Sequence, residues 1–407
     1  MTTEADYSLT LLEDIVSLPT APYHEERVAA RVRGYLREWG VPCRVDVGGN
    51  IIAHYQRGPT CRPLILMAHM DHPACTIALP GGPHGADWTA TLEGGVAAPY
   101  FAHPMAVRIH TADTTTSGNA IPAHTIGYMA DPAAGTLSLH LKLDDRRAAP
   151  IIQPGDFATW DLPDFALRDG VIHARALDDL AGCAAILLTI RRAAQEGWDT
   201  DIYAAFTRAE EVGLVGAYVA LGSELLPRHG YLVSLEASKT LPGALQGGGP
   251  VIRVGDRLTT FSHDAELVLK SAAHSLGLSV RHYTPVEPDG EAGTTVQRQL
   301  LSGGACESTL AVLMGYQATG LAFPLGNYHN MAEGSVLAAE NIHAGDFLTG
   351  VAVLQEAARL LPESDRLRAE GRTAREPDPA KVARLRAPFP TNGDSSETGH
   401  PPVGKNA

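Results

Sequence analysis

The sequence predicts an α/β protein with a mainly parallel, helix-flanked sheet and a small inserted all-β domain. Two observations support this fold class. Helical and strand-like segments alternate along residues 1–72 and again along 165–361, as in sheets covered by helices. Residues 73–164 hold short alternating runs, frequent glycine and proline, and no convincing helix, which is typical of a barrel or sandwich. We therefore expect one α/β domain from the two outer segments, with 73–164 as a barrel-like insertion.

The elements before residue 73 follow from hydrophobic spacing. The stretches "SLTLLEDIV" and "HEERVAARVRGYLREWG" are apolar at helical intervals, and the second ends in a glycine. "CRVDVGGNIIAHY" predicts a β-hairpin around Gly48 and Gly49. The continuous apolar run 64–68 precedes polar residues and a proline, so it predicts a buried central strand.

The elements after residue 164 alternate in type. Helices are predicted at "LAGCAAILLTIRRAAQEG", "HDAELVLKSAAHSLG" and "IHAGDFLTGVAVLQEAARLL". Strands are predicted at "DIYAAFT", "GYLVSLE", "SVRHYTP" and "ATGLAFPL". Residues 362–407 are rich in proline, glycine and charge and poor in core residues, so we expect a disordered C-terminal tail.

Composition excludes several classes of protein. Hydrophobic residues make up 44% of the 407 residues and charged residues 19%, as expected of a globular protein. The formal net charge of −14 argues against nucleic acid or an anionic membrane as a partner. No secretory signal and no run of membrane-spanning length is visible. The five scattered cysteines lack a CxxC spacing, which indicates free thiols in a reducing cytoplasm.

The stretch "LILMAHMDHPAC" ends the predicted central strand with two imidazoles and a carboxylate. His69 and Asp71 are two residues apart, so on a strand they point to the same side. Asp71 could then orient His69 and leave its other nitrogen for a metal ion. A histidine at a strand end is also common as a structural residue, and this motif alone does not decide between the two.

Candidate partners for His69 lie at other element boundaries. Asp178 and Asp179 directly precede an apolar helix, where an aspartate either caps the helix or bridges two cations. Glu210 and Glu211 follow a predicted strand and precede a glycine-rich turn. That position is the carboxyl edge of the sheet, where open α/β sheets bind ligands.

Two further residues complete a possible set of metal ligands. Glu236 ends an apolar strand, where a buried charge needs a counter-charge, and His329 follows "GLAFPL". Two imidazoles and three carboxylates suit a pair of zinc, cobalt or manganese ions. The candidate ligands are His69, Asp178, Glu211, Glu236 and His329.

The ordered motifs "AHMD", "ALDDLAG", "AEEVGLVGA" and "NYH" resemble the dinuclear metallo-aminopeptidases of the glutamyl-aminopeptidase or tetrahedral (TET-type) family. The resemblance covers about residues 7–360 and implies hydrolysis of N-terminal residues from peptides. It implies two divalent ions, zinc first among the candidates, and homo-oligomers, often dodecamers, assembled through the inserted domain.

The resemblance also implies a role for each candidate residue. Asp178 would bridge the two ions. His69 and Glu236 would bind one ion, and Glu211 and His329 the other. Glu210 would be the general base, and Asp71 would orient His69.

Three features depart from the family pattern. Glu236 stands where the family usually has aspartate, Asn-Tyr-His-Asn replaces Arg-Tyr-His-Ser, and Cys306-Glu307 stands in a Gly-Gly-Thr-Asp position. The last two departures are expected near the substrate pocket, so they bear on specificity.

Two other functions stay open. A related dinuclear amidohydrolase, deacylase-like or carboxypeptidase-like, would use a similar ligand set and act on N-acylated amino acids. A non-catalytic protein on the same fold is disfavoured because every candidate ligand and the base are present. The remaining histidines near the motifs or in the insertion are expected to be structural or at the surface: His72, His103, His110, His124 and His173.

Overall fold

A twelve-stranded mixed β-sheet organises most of the chain. The structure is a computed structural model, and it describes residues 3–59, 61–111, 120–282, 293–363 and 378–386. The chain divides into two units, 1–364 and 365–407. The sheet and the β-barrel described below both belong to the first unit.

The elements are numbered in chain order. The α-helices are α1 (Glu4–Val16), α2 (Glu26–Glu38), α3 (Leu180–Glu196), α4 (Val215–Gly222), α5 (His263–Ser275), α6 (Glu307–Leu313), α7 (Ala344–Arg359) and α8 (Pro379–Arg386). The strands are β1 (Cys43–Val45), β2 (Ile51–Gln56), β3 (Leu64–His69), β4 (Ala74–Pro80), β5 (Trp88–Glu93), β6 (Ala106–His110), β7 (Ile121–Asp131), β8 (Thr136–Leu143), β9 (Phe157–Trp160), β10 (Ala166–Arg168), β11 (Val171–Ala174), β12 (Asp201–Thr207), β13 (Tyr231–Lys239), β14 (Val251–Asp256), β15 (Ser279–His282), β16 (Thr295–Leu301), β17 (Gln317–Gly326), β18 (Met331–Ala332), β19 (Val336–Leu337) and β20 (Glu340–His343).

The centre of the large sheet is parallel, but the sheet as a whole is mixed. Strands β12, β3, β13 and β17 lie side by side and run in one direction. Strands β14, β16 and β15 are parallel to one another but antiparallel to β17. Strands β1, β2, β10, β11 and β20 join through antiparallel pairs. The predicted mainly parallel sheet is therefore correct for its centre and for β14, β15 and β16 among themselves, but the antiparallel pairs at β17 and at β2 make the sheet mixed.

The two ends of helix α3 are determined by recognisable residues in the sequence. The side chain of Asp179 accepts a hydrogen bond from the Gly182 N–H at 3.0 Å and so caps the first turn. Gly197 ends the helix with a φ of 66°, a conformation that suits glycine. Most residues between them are buried small or aliphatic side chains, and the helix packs against β3. Every residue of β3 is also buried, so the strand that ends at His69 is held rigidly in the core.

The inserted segment forms a closed six-stranded barrel in the order β4-β5-β8-β7-β6-β9. Its strands run from Ala74 to Trp160, within the segment 73–164 that the sequence sets apart. The barrel has its own core, which includes Phe101, Leu139 and Trp160. It is closed by hydrogen-bonded pairs on all sides, which removes free strand edges.

One short helix is described in the second unit, inside the tail expected to be disordered. Helix α8 begins where Asp378 Oδ1 accepts the Ala380 N–H at 2.9 Å, with Pro379 in its first position. None of its residues is buried. Residues 364–377 and 387–407 of the predicted tail lie outside the described residues.

Two expectations from composition can be compared with the structure. The five cysteines are free thiols, as expected from their scattered positions. Within the described ranges, no helix combines the length and apolar character needed to cross a membrane.

Candidate active site

The five candidate ligands meet at the carboxyl ends of the central strands. His69 is the last residue of β3, Glu211 follows β12, and Glu236 lies within β13. His329 lies in a short 3-10 turn after β17, and Asp178 lies just before α3. Because β3, β12, β13 and β17 are parallel neighbours, their ends deliver these side chains to one edge of the sheet.

Asp178 lies between the two histidines. Its Oδ1 is 3.4 Å from His69 Nε2, and its Oδ2 is 3.7 Å from His329 Nε2. Glu211 Oε1 is 3.2 Å from His329 Nε2. The two carboxylate oxygens of Asp178 thus face different imidazoles, which is the arrangement a bridging ligand requires.

Potential ligand atoms form overlapping triads in which all atoms lie within 4.8 Å of one another. One triad is His69, Asp178 and Glu236, and a second is Asp178, Glu211 and His329. They share Asp178. A third group, His69 with Glu210 and Glu211, overlaps both.

The charges and unsatisfied oxygens of this cluster fit divalent cations. Asp178 Oδ1, Glu211 Oε1 and Glu236 Oε1 are buried and have no hydrogen-bond partner. Burial, and then the charge of Asp178, raise the pKa of Glu236 to about 8. Burial is the largest single effect on His329 and acts against its protonation, but the negative charges and hydrogen bonds around the ring, those of Glu211 first, together raise its pKa to about 9. Cations placed among these groups would offset the crowded negative charge, and the nitrogen and oxygen donors suit zinc, cobalt or manganese.

Asp71 supports the cluster through two kinds of contact. Its carboxylate oxygens accept the backbone N–H groups of Glu210 and Glu211, each at 3.0 Å. Its Oδ1 lies 3.6 Å from His69 Nδ1, while that nitrogen donates to the Asp71 backbone oxygen at 3.1 Å. Asp71 therefore fixes the turn that carries both glutamates as well as the His69 ring.

Glu210 differs from its neighbours in exposure. Its side chain is 14% exposed, compared with 4% for Asp178 and 5% for Glu211. Its Oε2 lies 3.9 Å from His69 Nε2. Burial raises the pKa of Glu210 well above its ordinary value, and the charge of Glu211 adds to the rise. A carboxyl group with a raised pKa at the open side of the cluster is suited to accept and return a proton.

Glu340 is a buried support that the motifs do not indicate. One of its oxygens accepts the N–H groups of Leu177 and Asp178 at 2.8 and 3.1 Å. The other accepts the N–H of His329 at 2.8 Å. A single carboxylate thus joins the two loops that carry Asp178 and His329. Its position in the short strand β20, outside every recognised motif, gives no sequence signal for this role.

His72 is a structural histidine, as expected, but it supports the cluster directly. Its Nδ1 donates to the backbone oxygen of Asp178 at 2.7 Å, and its Nε2 lies 3.0 Å from Asn330 Oδ1. Asn330 also donates to the backbone oxygen of Arg175 at 2.9 Å. The residue that departs from the family pattern after His329 is therefore part of the framework around Asp178.

The inserted segment contacts the site through Gly95. His329 Nδ1 donates to the Gly95 backbone oxygen at 2.9 Å, which leaves Nε2 facing Asp178 and Glu211. The Tyr328 ring stacks on the imidazole with centroids 3.7 Å apart. The insertion contains no candidate ligand, yet it holds a ligand candidate in its orientation.

A cavity of about 100 Å³ lies beside Glu236. Its lining includes Leu241, Arg253, Leu301 and Tyr328. Cys306 and Glu307 were expected near the substrate pocket. Both are fully buried and do not line this cavity themselves, but Gly303, Gly304 and Ala305, which directly precede them in the chain, do line it.

Comparisons with known proteins agree with these motifs. The family model described as M42 glutamyl aminopeptidase matches residues 90–319. A curated protein of Acetivibrio thermocellus, named "Putative aminopeptidase", is 30% identical over 131 residues. That match covers 31% of this chain and 38% of the relative's length.

Solved structures match over almost their whole length. The TET1 peptidase of Pyrococcus horikoshii is 20% identical, with a TM-score of 0.67 over 86% of this chain and 99% of that one. An aminopeptidase from Desulfurococcus kamchatkensis is 18% identical, with a TM-score of 0.67 over 90% and 98%. A TET aminopeptidase from Thaumarchaeota archaeon SCGC AB-539-E09 is 16% identical, with a TM-score of 0.69 over 90% and 100%.

At these identities the structural matches establish the fold. The family model spans more than half of the chain, and it includes the segments that carry Asp178, Glu210, Glu211 and Glu236. The resemblance inferred from the four motifs is thereby confirmed. This chain belongs to the M42 glutamyl aminopeptidase family.

Proposed function

We propose that this protein is a dinuclear metal-dependent aminopeptidase that removes the N-terminal residue from peptides. The observation that carries the proposal is the pair of triads that share Asp178, with Glu210 at their open side. Membership of the M42 glutamyl aminopeptidase family supports the reaction class.

Each residue of the cluster has one role in this proposal. Asp178 would bridge two divalent ions, zinc being the first candidate and cobalt or manganese the others. His69 and Glu236 would hold one ion, and Glu211 and His329 would hold the other. Bound ions of this kind would supply Lewis acidity toward the scissile carbonyl and toward water.

Glu210 moves the proton in the proposed reaction. Its carboxylate takes a proton from the attacking water and passes it to the leaving amine. Asp71 keeps the Glu210 backbone in place by accepting its N–H at 3.0 Å. The buried surroundings of the cluster reduce competition from bulk solvent and strengthen these electrostatic interactions.

Assembly and location complete the proposal. One similar solved structure is described as a dodecamer, and the Pyrococcus horikoshii peptidase as a tetrahedron or a large octahedral shell. We propose that this chain also forms a homo-oligomer, with a dodecamer as the first candidate, and that the barrel takes part. The free cysteines support a cytoplasmic location.

The second candidate is a deacylase-like or carboxypeptidase-like amidohydrolase. It is kept because Glu236 replaces the aspartate usual in the aminopeptidases, and either residue serves in that related class. The two functions differ in what they require at the substrate's amino end, since only an aminopeptidase needs it to be free.

A matched pair of peptides separates the two functions. The metal-loaded enzyme is incubated with a peptide library, with the same library acetylated at the N-terminus and with N-acetylated amino acids, and products are identified by mass spectrometry. We expect first-residue release from the free peptides alone. Release of acetate from N-acetylated amino acids, or trimming from the C-terminus, would replace the aminopeptidase proposal by the second candidate.

A further inference from the structure

A cavity of about 430 Å³ lies where the barrel meets the sheet domain. Three arginines and a histidine line it: Arg27 of α2, Arg108 and His110 of β6, and Arg175, which follows β11. None of them is a candidate ligand or the candidate base. The cavity is thus a second cluster of ionisable side chains, separate from the candidate metal ligands, and its arginines are positively charged.

The two aspartates in the lining are already engaged by Arg108. Its Nε lies 2.6 Å from Asp161 Oδ1, and its Nη1 contacts both oxygens of Asp164 at 2.8 and 3.0 Å. Three arginines face two aspartates in this lining, so one positive charge is in excess.

Arg175 and Arg27 carry the unsatisfied donors. Arg175 is 2% exposed; its Nη2 lies 3.1 Å from Asp164 Oδ1, but its Nε has no hydrogen-bond partner. The Nε and Nη2 of Arg27 are also buried without a partner, and none of the ion pairs found among the described residues includes Arg27. Buried cationic donors without an acceptor are costly, so an anion supplied from outside would stabilise them.

His110 is the fourth basic side chain in the lining of this cavity. It is 6% exposed, its Nε2 lies 3.0 Å from Thr159 Oγ1, and its Nδ1 has no partner. Burial and the three arginines lower its pKa to about 3. The imidazole is therefore neutral at neutral pH, and the arginines remain the cationic groups of the cavity.

We propose that this cavity is a binding site for a small oxyanion, either a phosphate- or sulfate-like group or a carboxylate. Arginine donates through a planar fork that matches such groups, and charge-assisted hydrogen bonds of this kind are among the strongest in proteins. The cavity volume falls in the range of small-molecule sites. Because Arg108 and His110 belong to the barrel while Arg27 and Arg175 do not, the bound anion joins the two parts of the first unit.

Isothermal titration of the metal-loaded protein with sulfate and with acetate, at constant ionic strength, tests this site. We expect saturable binding of at least one anion, weakened about tenfold or more in Arg27→Gln because a charge-assisted contact is lost. Arg33→Gln, an exposed arginine of the same helix, is the matched control and should bind like the wild type. Binding of sulfate alone would identify the ligand of this cavity as a tetrahedral oxyanion. Binding of acetate alone would identify it as a carboxylate.

Two results would overturn the proposal. One is the absence of saturable binding of either anion to the wild-type protein. The other is equal binding in Arg27→Gln and Arg33→Gln, which would assign the anion to another place such as the metal cluster. If Arg27→Gln does not fold, wild-type crystals soaked separately in selenate and in bromoacetate provide the test. Anomalous density from either anion beside Arg27 and Arg175 supports the site, and a cavity that stays empty in both soaks contradicts it.

Discussion

Glu210 and Glu211 are adjacent in the chain, yet their side chains face different imidazoles. Glu211 Oε1 lies 3.2 Å from His329 Nε2, whereas Glu210 Oε2 lies 3.9 Å from His69 Nε2. Asp71 holds both backbone N–H groups, so the divergence is fixed by the turn itself. This geometry supports a division of labour in which Glu211 binds metal and Glu210 transfers a proton.

Substitution of each glutamate by glutamine should separate these roles. Glu210→Gln keeps the shape but removes the proton acceptor, so we expect full metal occupancy and a turnover lower by about 10²- to 10⁴-fold. Glu211→Gln should lose one ion at stoichiometric metal and regain part of its activity in excess metal. Metal analysis and turnover on both variants provide the test.

The exposed Glu224 offers a matched control for these variants. Glu224→Gln should change neither metal content nor turnover. If Glu210→Gln loses an ion while Glu211→Gln stays loaded and inactive, the two assignments must be exchanged.

At the residue scale, the sequence predicts the cluster and its support by Asp71, but not the other supports. The candidate ligands are recognisable because polar, ionisable residues at strand ends and helix starts contrast with the apolar runs beside them. These ligands are His69, Asp178, Glu211, Glu236 and His329. The other supporting residues do not differ from their sequence neighbours in this way. Glu340 lies in a short strand, and Gly95 acts through a backbone oxygen that any residue possesses.

At the scale of elements, the loop after β5 links the barrel to the metal cluster. It carries Gly95, whose backbone oxygen accepts the hydrogen bond from His329 Nδ1 at 2.9 Å. A Cβ atom at this position would lie 3.2 Å from the same nitrogen. The loop and the imidazole are therefore in close contact, and a side chain there would displace one of them.

Gly95→Ala should weaken metal binding at the His329 side of the cluster. We expect about a tenfold loss of affinity for one ion, since groups that orient a ligand histidine typically contribute that much. Competition with a chelator measures it. The control is Gly34→Ala in helix α2, where a Cβ meets nothing within 4 Å. Equal metal affinities in the two variants would show that the barrel loop does not contribute to metal binding.

The elements themselves were predictable where hydrophobic periodicity is long and regular. Helix α3 and strand β3 agree with their predicted positions because most residues of the helix and every residue of the strand are buried, so both appear in the sequence as long apolar runs. The direction of β14, β15 and β16 relative to β17 was not predictable, because it depends on connections and not on the strands' composition. The short strands β18 and β19 pair over only two residues each, which is too short for any period to appear.

At the scale of the whole molecule, a strongly acidic cluster is buried in the core. Burial is the largest cause of raised carboxyl pKa values here, which reach about 8 for Glu236 and about 7 for Glu307 and Glu340. The pKa of His329 reaches about 9, because the negative charges and hydrogen bonds around the ring, those of Glu211 first, together outweigh the effect of burial. In the metal-free protein these groups therefore bind more protons when folded than when unfolded near neutral pH.

The stability of the metal-free protein should therefore fall as pH rises from 6.5 to 8. A folded state that binds more protons than the unfolded state loses free energy of unfolding with increasing pH, and the raised pKa values of Glu236 and His329 span this window. Bound cations would offset the same negative charge, so the metal-loaded protein should show a smaller decline. Thermal unfolding at several pH values, with and without metal, checks this; a metal-free midpoint that rises across the window would contradict it.

Titration of the chelated, metal-free protein with zinc, followed by turnover of a peptide with a free N-terminus, tests the dinuclear aminopeptidase most directly. The overlapping triads around Asp178 predict no turnover without metal and an activity that saturates at two equivalents of zinc per chain. Turnover in the metal-free protein, or saturation at one equivalent, would contradict the two-metal site.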